Sequence, residues 1–132
     1  MALFGSPTND KRPVFLNLLQ IHLPLTALVS ILHRVSGIGM ILGLPIVLVM
    51  FYCVVAGPSE YQSMVFLSSF TMSKVILLLI LTGTMYHILA GIRHIYDDFA
   101  GTHALIHARY TAWLLMFAWV AWIVACIWRL WF

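Results

Sequence analysis

Three stretches of this chain contain no Asp, Glu, Lys or Arg, and each is long enough to cross a bilayer as a helix. The first helical run, Val35 to about Ala56, is 22 residues, or roughly 33 Å at 1.5 Å per residue against a hydrocarbon core of about 30 Å. Gly57-Pro58-Ser59 then supplies a stop, because proline cannot continue the hydrogen-bond ladder. The second run, Val75 to Ile92, is 18 residues, roughly 27 Å. It is bounded by Lys74 and Arg93, whose long side chains can snorkel outward. The third, Tyr110 to Trp128, lies between Arg109 and Arg129. It carries Trp113, Trp119, Trp122 and Trp128, a distribution that suits interfacial and lipid-facing rings. Backbone in lipid must satisfy its own polar groups, and isolated runs of this length do so as helices. The expected fold is therefore all-α: an integral membrane protein with three transmembrane helices at about residues 30–56, 71–96 and 106–130, forming one domain over 30–132.

The composition agrees. Of 132 residues, 63% are apolar and 8% are charged, against roughly a quarter charged in a soluble domain. A mean hydropathy of +1.02 leaves too little polar surface to face water. The net charge of +3 comes from cations scattered between apolar runs, so nucleic-acid binding is excluded and the charges read as membrane flanks. Cys53 and Cys126 stand alone inside apolar stretches and make neither a disulfide framework nor a zinc site. No internal repeat or second domain is visible. Asn17, Gln20, His22 and Pro24 break up Val14 to Val29, so residues 1–29 are expected to form an interfacial segment feeding the first helix. It has neither the apolar core and cleavage site of a signal peptide nor the Arg- and Ser-rich character of a transit peptide, so the mature chain is expected to start at Met1. Lys11, Arg12, Arg34, Arg93 and Arg109 fall on one side of the membrane and Lys74 and Arg129 on the other. The positive-inside rule places the N-terminus in the cytoplasm and the C-terminus outside.

Polar groups at membrane depth are expensive and point to function, which makes Ser30, His33, Arg34, His87, Arg93 and His94 the informative positions. Ser30 and Arg34 are i, i+4 neighbours with His33 beside them, a polar notch in an apolar wall. His87 and His94 are seven residues apart and share a helix face. An imidazole at the depth of His87 suits an axial haem ligand, and Gly91 one turn on would admit a flat ring. The competing readings are a packing histidine at 87, flanking arginines at 34 and 93, and a back-bonded serine at 30. Gly39 and Gly43, with Gly37 nearby, read as close helix packing. His103 and His107 are i, i+4 but have no third metal ligand at comparable spacing other than Asp97 or Asp98, and read as a solvated loop.

The notch has a recognisable frame. Arg12-Pro13, sixteen intervening residues, then Ser30-Ile31-Leu32-His33-Arg34-Val35-Ser36 resembles the first signature of the cytochrome b subunit of the succinate dehydrogenase family. The second signature reads His87-Ile88-Leu89-Ala90-Gly91-Ile92-Arg93-His94-Ile95-Tyr96-Asp97-Asp98. The two are correctly ordered and placed on the first two of three spans. The family usually has an aromatic or methionine before its aspartate, whereas Asp97 precedes Asp98 here.

The resemblance implies a membrane anchor for a flavoprotein subunit and an iron-sulfur subunit on the cytoplasmic face, with a second small membrane subunit alongside. Electrons from succinate oxidation would reduce ubiquinone, or menaquinone in some members, so the chain would be part of an enzyme without holding a complete active site. Ser30 and Arg34 match the family's quinone pocket, and His87 matches the axial ligand of haem b, whose other ligand comes from the second anchor. The residue chemistry is compatible with those roles. Ser30 can donate to a quinone carbonyl, with Ile31 and Leu18 or Leu23 as apolar wall. Arg34 would favour the negative charge that develops on a quinone, or a haem propionate, and His33 and His94 are further propionate candidates. Two alternatives remain at this level: an autonomous membrane cytochrome b ligated by His33 and His87, and a haem-free structural anchor. The lack of a presequence favours a bacterial inner membrane.

Overall fold

A computed structural model describes residues 23–100 and 105–132, and the expectations for residues 1–22, including Leu18, lie outside the described residues. Four helices follow one another: α1 Leu25–Ala56, α2 Pro58–Ser68, α3 Thr71–Ala100 and α4 Leu105–Trp131. Three of them, α1, α3 and α4, are long and apolar enough to cross a membrane. The chain is thus an all-helical, multi-pass membrane protein, with three spans as expected. Each span is longer than its charge-free run, because helix continues into the flanks where water can satisfy any loose end. In particular α1 starts at Leu25, right after Pro24, so the last residues of the expected interfacial segment are its first turn.

The short helix α2 is the element missing from the expected boundaries. Gly57-Pro58 does end α1, but it also starts α2. Gly57 has φ 155° and ψ 176°, a region essentially reserved for glycine, and Pro58 takes the first helical position, where its missing N–H costs nothing. Glu60 sits in that first turn and suits the positive end of the helix. Tyr61, Phe66 and Phe70 on and just after α2 are exposed, as befits a segment joining two spans near the membrane surface.

The spans run antiparallel, with α3 between α1 and α4. Along α1 and α3 the contacts pair Gly37 with His87 and Gly43 with Ile80. Along α3 and α4 they pair Arg93 with Thr111 at one end and Lys74 with Trp131 at the other. Arg34, Arg93 and Arg109 consequently share one end of the bundle. Because lipid offers no hydrophobic drive between helices, close approach and interhelical hydrogen bonds must hold them. The tightly packed core is Val29, Tyr86, Ala90, Ala112 and Leu115, toward the Arg93 end. Ala90 and Ala112, each fully buried, let backbones approach. The Tyr86 hydroxyl donates to the Val29 carbonyl at 2.9 Å. Replacing Tyr86 by phenylalanine leaves the ring in place and is expected to destabilise the chain by about 1 kcal/mol, read as a lowered thermal midpoint in detergent.

Two tryptophans depart from the lipid-facing expectation. Trp119 Nε1 donates to the Thr82 carbonyl at 2.9 Å and Trp122 Nε1 to the Leu81 carbonyl at 3.3 Å. An indole N–H in lipid needs an acceptor, and the α3 backbone supplies it. Trp113 and Trp128 are exposed, as expected of belt residues.

Candidate functional site

The helical period puts His33, Ser36 and Gly37 of α1 on one face, at i, i+3 and i+4, and that face meets α3 at His87, Gly91 and His94, spaced i, i+4 and i+7. Gly37 is what allows the approach: a Cβ there would stand 3.1 Å from His87 Cε1. Glycine 37 therefore seats the His87 ring, in addition to helping the helices pack.

His87 Nδ1 lies 3.1 Å from the His33 carbonyl oxygen and 3.1 Å from Ser36 Oγ. The Ser36 hydroxyl donates its own proton to that same carbonyl, at 2.8 Å. A carbonyl can only accept. The serine hydrogen is already committed, so both neighbours of Nδ1 present lone pairs and Nδ1 must carry the proton. The lone pair of His87 then resides on Nε2, which has no hydrogen-bond partner among the described residues. Fixing one ring nitrogen as donor to leave the other as ligand is how metal-binding imidazoles are oriented.

The other histidines behave differently. His33 stacks on His87 with ring centroids 4.2 Å apart and planes tilted by 33°, and on His94 at 5.2 Å and 40°. Its Nε2 is buried without a hydrogen-bond partner among the described residues and lies 3.9 Å from where a Cβ on Gly91 would be. The His33 ring is thus the neighbour that Gly91 faces, at ordinary van der Waals distance. Among the described residues no group of three His, Cys, Asp or Glu converges on a metal ion. The His33 and His87 rings are in contact, with centroids 4.2 Å apart, and no planar group fits between them. The pairing of His33 with His87 in an autonomous cytochrome has no geometric support.

Ser30 and Arg34 lie on the first turns of α1, Ser30 half-buried and Arg34 exposed. Ile31 and Leu23, the expected wall, are also exposed. The notch is real as a neighbourhood on the helix, but as presented by this chain it is open, and any closed pocket there requires walls from elsewhere. Leu18 is outside the described residues.

Arg93 departs from the snorkelling expectation. Its side chain is only 9% exposed, turned toward α4, where Nε donates to Thr111 Oγ1 at 3.1 Å and Nη2 to the Ala108 carbonyl at 3.2 Å. Asp97, one turn later on α3, pairs with Nη2 at 3.4 Å. The extra aspartate ahead of Asp98 is the countercharge of a buried arginine that clamps α3 to α4. A buried guanidinium needs such a partner more than it needs water.

Sequence reasoning named His33, His87 and His94 but assigned no role to Ser36 and read Gly37 only as packing. The available signal was their spacing: both fall on the His33 face, opposite the depth of His87. A groove of about 220 Å³ beside Ser36, Gly39, Gly83 and Thr84 continues along the α1–α3 junction. Neither Gly39 nor Gly83 has anything within 4 Å of its potential Cβ.

Comparison with known proteins places this arrangement. The family model for the succinate dehydrogenase/fumarate reductase transmembrane subunit matches residues 8–127. The succinate dehydrogenase cytochrome b556 subunit of Coxiella burnetii (strain RSA 493 / Nine Mile phase I) is 30% identical over 125 residues, covering 91% of this chain and 98% of that protein. The protein of the same name from Paracoccus denitrificans is 30% identical over 91 residues, 66% of this chain and 67% of its own length. With three antiparallel spans and a match over nearly all of its length, the chain belongs to the succinate dehydrogenase/fumarate reductase transmembrane subunit family.

Proposed function

We propose that this chain is a membrane-anchor subunit of a succinate:quinone oxidoreductase, that it holds haem b through His87 Nε2, and that it contributes Ser30 and Arg34 to the quinone-reduction site. The observation that carries the reading is the fixed His87 tautomer, with Nδ1–H held between two oxygens and a free Nε2 lone pair. The donor chemistry fits haem, which takes neutral imidazole as an axial ligand. The names of the two relatives, both cytochrome b556 subunits, point the same way.

Bound haem supplies one-electron transfer. The chain's own residues do the rest. The His33 carbonyl and Ser36 hold the His87 ring in register, and Gly37 leaves it space. A second small membrane subunit would supply the other ligand, as the family resemblance implies, since His33 is stacked beside His87 and residues 110–132 hold no histidine. The groove along Gly39 and Gly83 suits close approach by such a subunit. Arg34 and His94, both exposed at the Arg93 end, would be the partners of the haem propionates. His33 and Gly91, packed on each other, support the ligand from behind. Ser30 donates to a quinone carbonyl, and the permanent charge of Arg34 favours negative charge on the ring oxygen in a low-dielectric site. Because the Ser30 notch is open, its remaining wall comes from an iron-sulfur subunit, itself fed by a flavoprotein subunit that oxidises succinate. The electron acceptor is ubiquinone or menaquinone. The chain sits in a bacterial inner membrane with its N-terminus cytoplasmic and its C-terminus periplasmic.

The test is a reduced-minus-oxidised optical spectrum of the detergent-purified assembly, with and without His87→Ala. A b-type band is expected in the parent and lost in the variant. An unchanged band in an intact His87→Ala complex would remove haem from His87, and a parent without any band would leave only the quinone role. The chain expressed alone is expected to show no low-spin haem spectrum.

A further inference from the structure

Ser36 is half-buried on α1, and a serine bonded back to the carbonyl three residues earlier is ordinary in a membrane helix. Its second contact is not ordinary. The same oxygen that donates to the His33 carbonyl at 2.8 Å stands 3.1 Å from His87 Nδ1 on the neighbouring span. The carbonyl it donates to is itself 3.1 Å from Nδ1, so the three groups close a small ring of hydrogen bonds. In that ring the Nδ1 proton is shared between two acceptors, one a carbonyl fixed in the helix and one a hydroxyl oriented by that carbonyl.

We infer that Ser36 is a positioning residue that tunes the electron-donor strength of His87 Nε2. Accepting from Nδ1–H draws the proton away from the ring and makes the imidazole a stronger donor through its other nitrogen. A stronger axial donor favours oxidised over reduced iron, so Ser36 holds the haem potential below what the His33 carbonyl alone would set. This rests on haem being bound at His87. Ser36 touches neither iron nor quinone in this account, and its effect passes entirely through the His87 ring. The hydrogen of Ser36 also restrains its own lone pairs toward Nδ1, because donation to His33 leaves the hydroxyl no freedom to turn.

The experiment is a redox titration of the haem in the purified, assembled complex carrying Ser36→Ala, Ser36→Cys or Ser36→Thr, beside the parent and His87→Ala. Ser36→Ala keeps the His33 carbonyl acceptor, so haem content is expected to stay near the parent's while the midpoint potential shifts positive. Ser36→Cys, of similar volume but a weaker acceptor, is expected to shift it in the same direction by less. Ser36→Thr retains the hydroxyl and is expected to restore the parent potential. The low-spin electron paramagnetic resonance signal should move in Ser36→Ala and return in Ser36→Thr. An unchanged potential in Ser36→Ala, or a threonine variant that shifts as far as alanine, would overturn the inference. Should Ser36→Ala lose its haem, the cysteine variant decides, and an unshifted potential there overturns it equally. Failure of the underlying reading looks different, since a haem band surviving His87→Ala would show that the ligand lies elsewhere.

Discussion

Gly37→Ala is expected to cost the assembled complex most of its haem while leaving α1 helical and inserted. The new methyl would stand 3.1 Å from His87 Cε1, the ring carbon bonded to both nitrogens, so the imidazole must move for it to fit. That movement is opposed on two sides: Nδ1 is held at 3.1 Å by both Ser36 and His33, and the ring rests on His33 at 4.2 Å. A shift of a few tenths of an ångström at Cε1 would turn Nε2 away from the position in which it would hold haem, and sites of this kind tolerate displacements of only about 0.5 Å. Gly43→Ala provides the control, because its Cβ would meet a side chain at the same 3.1 Å, Ile80 Cγ1, away from His87, and alanine raises helix propensity. The measurement is haem per complex, from the reduced-minus-oxidised spectrum normalised to total protein. Equal haem in Gly37→Ala and parent would show that the ring tolerates displacement and that this close contact is not what seats it.

Arg93→Ala is expected to loosen the α3–α4 packing by about 2 kcal/mol, below the range for a fully buried ion pair because the Asp97 side chain keeps 27% of its surface exposed. Two hydrogen bonds to α4 disappear with the guanidinium, and Asp97 is left with a charge whose Oδ1 already lacks a hydrogen-bond partner among the described residues. Most of the cost is therefore the stranded carboxylate. Arg93→Ala/Asp97→Ala is accordingly expected to recover a substantial part of the lost stability. Arg93→Lys is expected to rescue poorly, since an ammonium cannot span Thr111, Ala108 and Asp97 with the geometry of the planar fork. Thermal unfolding of the complex in detergent checks all three. If the double variant is no more stable than Arg93→Ala, the clamp owes its strength to the α4 contacts and not to the ion pair.

The difference between what was legible and what was not follows the range of the interactions involved. Apolar run lengths suffice for the three spans, because a helix in lipid satisfies its backbone within itself and no neighbour is needed to define it. Helical periodicity likewise puts Ser30 beside Arg34 and His87 in line with His94, since both relations are local to one helix. The motifs identified the family for the same reason: they are short strings on single elements. The α2 helix was missed because Gly57-Pro58 was read only as a stop, although proline is as good at a helix start as it is poor inside one.

Everything that needed two helices at once had to wait for the tertiary structure. Which way Arg93 turns depends on Thr111 and Asp97 being there to receive it, and without α4 the snorkelling choice is equally reasonable. Gly37 and Ser36 acquire their meaning only from the antiparallel register of α1 on α3, which sets His87 against them. The amino-acid sequence alone determined that this chain crosses the membrane three times and carries an imidazole inside its second span, because hydrophobic run length and single-helix spacing decide both. Only the packing of α1 on α3 decided which nitrogen of that imidazole is free, because a tautomer is set by the groups that face it across the interface and not by its neighbours in the chain.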